Sequence, residues 1–118
     1  VKQGDVVNAD ALGGVLARAM SERAWQAHVV AFAKANGWTL IYHTFSSRRS
    51  ARGFPDLVMV KPGGASKRWR LAFVELKSEK GKLTDEQRRW MMELSHFYCI
   101  ESYVWRPSDR EAVLEALS

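Results

Sequence analysis

From residue 21 to residue 36, Trp25, Val29, Phe32 and Ala33 recur at helical spacing, so the chain opens its first clear element as an amphipathic helix. Ser21 is placed to cap its start, and Asn36-Gly37 to stop it. Glu22 and Gln26, four positions apart, leave this helix on one side. The period then changes. Residues 38–45 (WTLIYHTF) are rich in β-branched and aromatic types and read as a strand. Residues 56–61 (DLVMVK) form a second strand, introduced by Gly53-Phe54-Pro55 and ended by Pro62-Gly63-Gly64, and residues 70–77 (RLAFVELK) a third. The short, turn-like link between them predicts an antiparallel hairpin.

A second strong helix is expected over residues 84–98. Thr84 and Gln87 fit a capping box, Asp85 and Glu86 fill the first turn, and Met91, Leu94 and Tyr98 line one face with Trp90 and Phe97 beside it. Residues 102–106 (SYVWR) read as a fourth strand ended by Pro107. A second capping box, Ser108 with Glu111, would open a last helix with Val113, Leu114 and Leu117 turned inward. Ahead of all this, residues 1–8 read as a lead-in and residues 9–20 as a short helix interrupted by Gly13 and Gly14. The order α-β-β-β-α-β-α, with its strand–helix–strand step, predicts an α/β fold: a small mixed four-stranded sheet with helices on both faces. Residues 1–20 form an N-terminal lead-in, and residues 21–118 a single domain.

Composition narrows the class without fixing it. Of 118 residues, 47% are hydrophobic and 26% charged, the balance of a globular domain. No apolar run is long enough to cross a bilayer, and no signal-peptide pattern opens the chain. Cys99 is the single cysteine, which excludes an internal disulfide and Cys-based zinc sites and fits a reducing, cytoplasmic setting; it is expected to pack near a helix end. The net charge of +5 leans towards a polyanionic partner. The cations cluster mid-chain: Arg48, Arg49 and Arg52; Lys67, Arg68 and Arg70 around Trp69; Lys77, Lys80 and Lys82; then Arg88 and Arg89.

The chemistry sits where the apolar pattern breaks. Along the third strand Ala72, Val74 and Leu76 share one face, and Leu71, Phe73, Glu75 and Lys77 the other. Both faces begin apolar, as in a covered central strand, and then a carboxylate and an ammonium appear together. Burying them is costly unless they are paired or bind a metal. Asp56 opens the equally apolar second strand, and in a hairpin the start of one strand lies beside the end of the next. Asp56, Glu75 and Lys77 therefore converge. Two carboxylates and a nearby backbone carbonyl suit a hard divalent cation, Mg²⁺ above all. Such an ion can polarise a phosphodiester and acidify bound water, and Lys77 can assist that water or the transition state. Taken singly, Asp56 is also an ordinary turn residue, and Glu75 with Lys77 an ordinary strand-end pair.

These residues resemble the signature of the PD-(D/E)XK nuclease superfamily: Pro55-Asp56, then Glu75-Leu76-Lys77. The fuller pattern is similar to the virus-type replication-repair nuclease (VRR-NUC) domain, with an early helix carrying Glu22 and Gln26, then Gly53, Pro55 and Asp56, then Glu75 and Lys77, then Gln87 at the next helix start. The likeness runs from about Ser21 to Trp105. It implies a restriction-endonuclease-like αβββαβ core, dependence on Mg²⁺ or Mn²⁺ with no small-molecule cofactor, and hydrolysis of DNA phosphodiesters. Asp56, Glu75 and the Leu76 carbonyl would be metal ligands, with Glu22 approaching directly or through water. Lys77 would assist the attacking water. Gln87 would orient the site or simply complete the cap with Thr84, and Gln26 would position Glu22. The chain resembles stand-alone viral or phage members, some of them similar to Holliday-junction resolvases that act as homodimers. Arg48, Arg49, Arg52, Lys80 and Lys82 are candidate DNA contacts, or a solvated basic surface. His43 is expected to be packed or partly exposed. Trp69 and Trp105 either pack, stack on bases or sit at a subunit interface. Two other classes stay open: a non-catalytic nucleic-acid-binding or assembly module, and a dedicated junction resolvase.

Overall fold

The computed structural model describes residues 19–45 and 50–118. Its elements follow the expected order: α1 (Glu22–Ala35), β1 (Leu40–His43), β2 (Leu57–Lys61), β3 (Arg70–Leu76), α2 (Asp85–Leu94), β4 (Glu101–Trp105) and α3 (Arg110–Leu117), the last preceded by a 3-10 turn at Pro107–Asp109. The short helix expected over residues 9–20 lies outside the described residues except for Ala19 and Met20; Met20 packs against the core. The sheet order is β1-β2-β3-β4, so neighbours in sequence are neighbours in space. β1 and β2 pair antiparallel, as do β2 and β3 (Leu57 opposite Val74), whereas β3 and β4 run parallel across the α2 crossover.

Burial explains why both inner strands carry apolar residues on both faces. Leu57, Met59, Ala72, Val74 and Leu76 share one sheet face and are closed over by Trp25, Val29 and Ala33 of α1 and by Val113 and Leu117 of α3. On the opposite face Phe73 meets Phe54 edge-on at 6.2 Å, and Phe54 meets Trp90 of α2 at 5.0 Å. Trp38 is also buried, and its indole N–H donates to the Leu117 carbonyl at 2.9 Å, tying α3 back to the chain entering β1.

Several expectations fail, each for a local reason. The strand read over residues 38–45 spans only Leu40–His43, because the Trp38 N–H still donates to the Ala33 carbonyl at 3.1 Å and closes the end of α1. The second helix stops at Leu94 rather than residue 98: the Ser95 hydroxyl donates to the Met92 carbonyl, and His96 and Phe97 close tight turns onto Glu93 and Leu94. Tyr98 therefore leaves the helical face and is fully exposed, Phe97 is largely exposed, and Cys99, expected to pack near the helix end, is exposed with them. The Ser108–Glu111 cap does not form, because the Ser108 N–H donates to Glu79 at 3.1 Å while Asp109 accepts from the Arg106 N–H at 2.8 Å. Leu114 is accordingly only half-buried, unlike Val113 and Leu117.

Candidate active site

The start of β2 and the end of β3 meet at one edge of the hairpin, and α1 begins above it. The backbone before Asp56 is fixed from both sides. Gly53 sits at φ +80°, and a Cβ there would lie 2.4 Å from the Glu86 main chain, so only glycine lets this loop back onto the first turn of α2. The Trp90 indole N–H donates to the Arg52 carbonyl at 3.1 Å, pinning the same loop. On the other flank the Thr44 N–H donates to the Asp56 carbonyl at 2.9 Å and the Thr44 hydroxyl to the Pro55 carbonyl.

Held this way, the Asp56 carboxylate accepts the Leu76 N–H at 2.7 Å, across the hairpin. Glu75 is wholly buried. Its Oε2 accepts from the Gln87 amide at 3.3 Å, and its Oε1 has no hydrogen-bond partner. The Gln87 side chain is itself oriented: its amide oxygen accepts the Thr84 N–H at 2.9 Å while the Thr84 hydroxyl accepts the Gln87 N–H at 3.1 Å. The capping box and the contact with Glu75 therefore coexist in one side chain. Glu22, on the first turn of α1, completes the group: Glu22, Asp56 and Glu75 each bring a carboxylate oxygen within 4.8 Å of the others.

Three carboxylates this close repel one another. Burial pushes the Glu75 carboxyl up to about 9, with the neighbouring Asp56 and Glu22 adding to the rise and Lys77 opposing it. Glu22 is also raised, chiefly by burial, with Lys77 opposing. Lys77 thus sits close enough for its charge to act on both acids, yet it forms no ion pair among the described residues. A buried carboxylate with an unpartnered oxygen, beside two more carboxylates, has the donor set of a hard-cation site.

Several positioning contacts carried no local signal in the chain. The Trp105 carbonyl accepts both the Trp25 indole N–H and the Lys77 N–H, each at 3.1 Å. Trp25 lies one turn beyond Glu22, so this shared acceptor fixes the start of α1 against the end of β3. The Arg106 guanidinium donates to the carbonyls of Ser78, Glu79 and Gly81, holding the turn that follows Lys77. Those partners lie 25 to 28 residues away in sequence, beyond the reach of any motif.

The expected periphery is placed less tightly. Lys80 and Lys82 are exposed on the segment leaving β3. Arg52 is exposed beside Glu86, Arg89, Trp90 and Glu93 of α2. Arg48 and Arg49 lie outside the described residues. Gln26 does not bond Glu22; its amide meets His43 Nδ1 at 3.1 Å, and His43 is exposed. Trp105 is buried and stacked on Tyr103, whereas Trp69 is exposed.

The model of the VRR-NUC domain family matches residues 14–105. No curated protein matches the chain. A solved structure described as a VRR_NUC domain protein is 17% identical, aligns over 83% of this chain and 85% of its own, and gives a TM-score of 0.56, a likeness of fold.

Proposed function

The chain belongs to the VRR-NUC domain family, and on that premise we propose that it is a metal-dependent DNA endonuclease whose single domain spans residues 21–118. The observation that carries this reading is the buried, half-unsatisfied Glu75 carboxylate within 4.8 Å of Asp56 and Glu22, next to Lys77. Asp56 and Glu75 would hold Mg²⁺ or Mn²⁺, with the Leu76 carbonyl and Glu22 as further ligands. When bound, such an ion supplies Lewis-acid polarisation of the phosphodiester and a more acidic water.

The chain's own groups do the rest. Lys77, a compact cation whose backbone is fixed through Trp105, orients the attacking water and offsets charge developing on the phosphate. Gln87 steadies the Glu75 carboxylate. Asp56 is held in its rotamer by the Leu76 N–H. Water adds to phosphorus, one P–O ester bond breaks, and the leaving oxygen takes up a proton. Lys80 and Lys82, following Lys77, contact DNA phosphates, as do Arg48, Arg49 and Arg52. Branched or flap DNA is the favoured substrate, and a homodimer supplies two sites for two strands. The site is assigned to an intracellular, viral or phage-type enzyme.

The test is cleavage of labelled duplex, flap and four-way-junction DNA with Mg²⁺, Mn²⁺ or EDTA. Metal-dependent cutting is expected, and Asp56→Asn or Lys77→Ala should reduce it by at least about 10²-fold while leaving the circular-dichroism spectrum unchanged. Undiminished cleavage by both variants refutes the assignment. Metal-independent binding with no cutting under any condition would favour a non-catalytic binding module.

A further inference from the structure

We propose that the opposite end of the sheet carries a second nucleic-acid site, one that takes single-stranded nucleic acid by stacking. It lies where β2 ends and β3 begins, with Lys61 paired opposite Arg70, roughly 13 Å of strand away from the Leu57–Val74 pair beside the carboxylates. A recess of about 490 Å³ opens there, lined among others by Lys61, Lys67, Arg68, Trp69, Tyr98 and Glu101.

Charge is the first argument. The described residues lining the recess include four cations, with Arg70, and one acid. That acid is already neutralised: Glu101 takes two hydrogen bonds from Arg70, at 2.7 and 2.5 Å, which keep its carboxyl below the usual range. Lys67 and Arg68 form no ion pair among the described residues. The recess is therefore net basic and fits a polyanion.

Exposed aromatics are the second. Trp69 is 69% exposed and Tyr98 fully exposed, one from the hairpin and one from the segment after α2, and both line the same recess. Neither contributes to the core, and Tyr98 is the residue that helical periodicity assigned inward. A duplex hides its base faces, whereas unpaired bases offer them, so aromatics beside free cations favour a single strand.

Rigidity is the third. Gly64 and Lys67 exchange both backbone hydrogen bonds, at 3.0 and 3.2 Å, closing the hairpin. A Cβ on Gly63 would stand 2.4 Å from the Lys67 carbonyl oxygen and 2.7 Å from the Trp69 nitrogen, so the returning strand lies hard against this glycine. Trp69 is thus presented from a tight hairpin, which lowers the ordering cost of stacking.

The proposal rests on the nuclease reading only in taking nucleic acid as the ligand, and its test needs no cleavage. Binding of labelled oligo(dT), and of duplex of equal length, is measured by anisotropy in EDTA for the native chain, Trp69→Ala, Tyr98→Ala, and Lys67→Gln combined with Arg68→Gln. Each aromatic truncation should weaken oligo(dT) binding about tenfold. The double charge variant should flatten the log-affinity against log-salt slope by about 1.4, at roughly 0.7 per lost phosphate contact. Unchanged affinities and slopes, or duplex bound as tightly as oligo(dT) through the same residues, would overturn the site. So would a concentration-dependent dimer that Trp69→Ala dissolves, since a second copy would then be the occupant. Binding that behaves as expected, together with no metal-dependent cutting of any substrate by the native chain, would count against the nuclease reading alone.

Discussion

Glu75 is where burial and charge meet most sharply. Its folded-state carboxyl is raised to about 9, above the ordinary value of 4.5, so between those values the folded chain holds a proton that the unfolded chain has released. Stability of the metal-free protein therefore falls as pH climbs from about 4.5 towards 9. Melting temperatures in EDTA should decline across that window, and Glu75→Gln, which carries no ionisable proton, should flatten the decline. Divalent ion must displace the proton, so Mg²⁺ should stabilise more strongly at higher pH, with proton release measurable by calorimetry in buffers of different ionisation enthalpy. A pH-independent melting temperature in the native chain would show that Glu75 is not desolvated as described. This residue was legible in the chain, together with Asp56 and Lys77, because charge interrupts strands that are otherwise apolar. Trp25 was not: its bond to the Trp105 carbonyl spans 80 positions, and indole at a core spacing reads only as core.

At the scale of elements, ends marked by turn or capping residues were read more securely than ends that rest on spacing alone, such as those of β1 and the C-terminal end of α2. A strand is bounded by turn residues such as Pro62 and Gly63, whereas Phe97 and Tyr98 continue a helical spacing past the point where Ser95 bends the chain away. The N-terminal end of that helix is different, because Thr84 and Gln87 form the expected box and also steady Glu75. Thr84→Ala should cost about 1 kcal/mol in urea unfolding. It should also lower the turnover rate more than it weakens DNA binding, since the Gln87 main-chain N–H loses its acceptor and the side chain is left held towards Glu75 by the Thr84 N–H alone. An equal loss in both would mean the cap serves only the helix. The loop packed on the same turn gives a stronger case. Gly53→Ala places a methyl group against the Glu86 backbone at a φ of +80°, so it should destabilise by about 2 kcal/mol or more. It should impair cleavage through Asp56, three residues on. A stable, fully active Gly53→Ala chain would mean that this loop can move without disturbing the site.

Across the whole molecule, the α/β class and the parallel β3–β4 step followed from element order, but which surfaces remain uncovered did not. Periodicity separates two faces of a strand without saying whether a helix reaches both. β1 is an edge strand paired only with β2 among the described strands, and α2 packs on β3 and β4. Leu40 and Tyr42, alternate residues on one face of β1, are left largely exposed, with Phe45 just beyond. An edge strand with apolar side chains is the kind of surface a second copy covers. The homodimer proposed for two-strand cutting is therefore expected here, through Leu40 and Tyr42. Sedimentation equilibrium should show a dimer in the native chain and a monomer in Tyr42→Lys, where a charge would be trapped in the interface. That monomer should still nick a four-way junction, because every group proposed for catalysis comes from one chain, yet lose the paired cuts that need two sites held together. A native chain that is monomeric on and off the junction, and still makes paired cuts, would remove the dimer from the mechanism and leave the single site acting twice in succession.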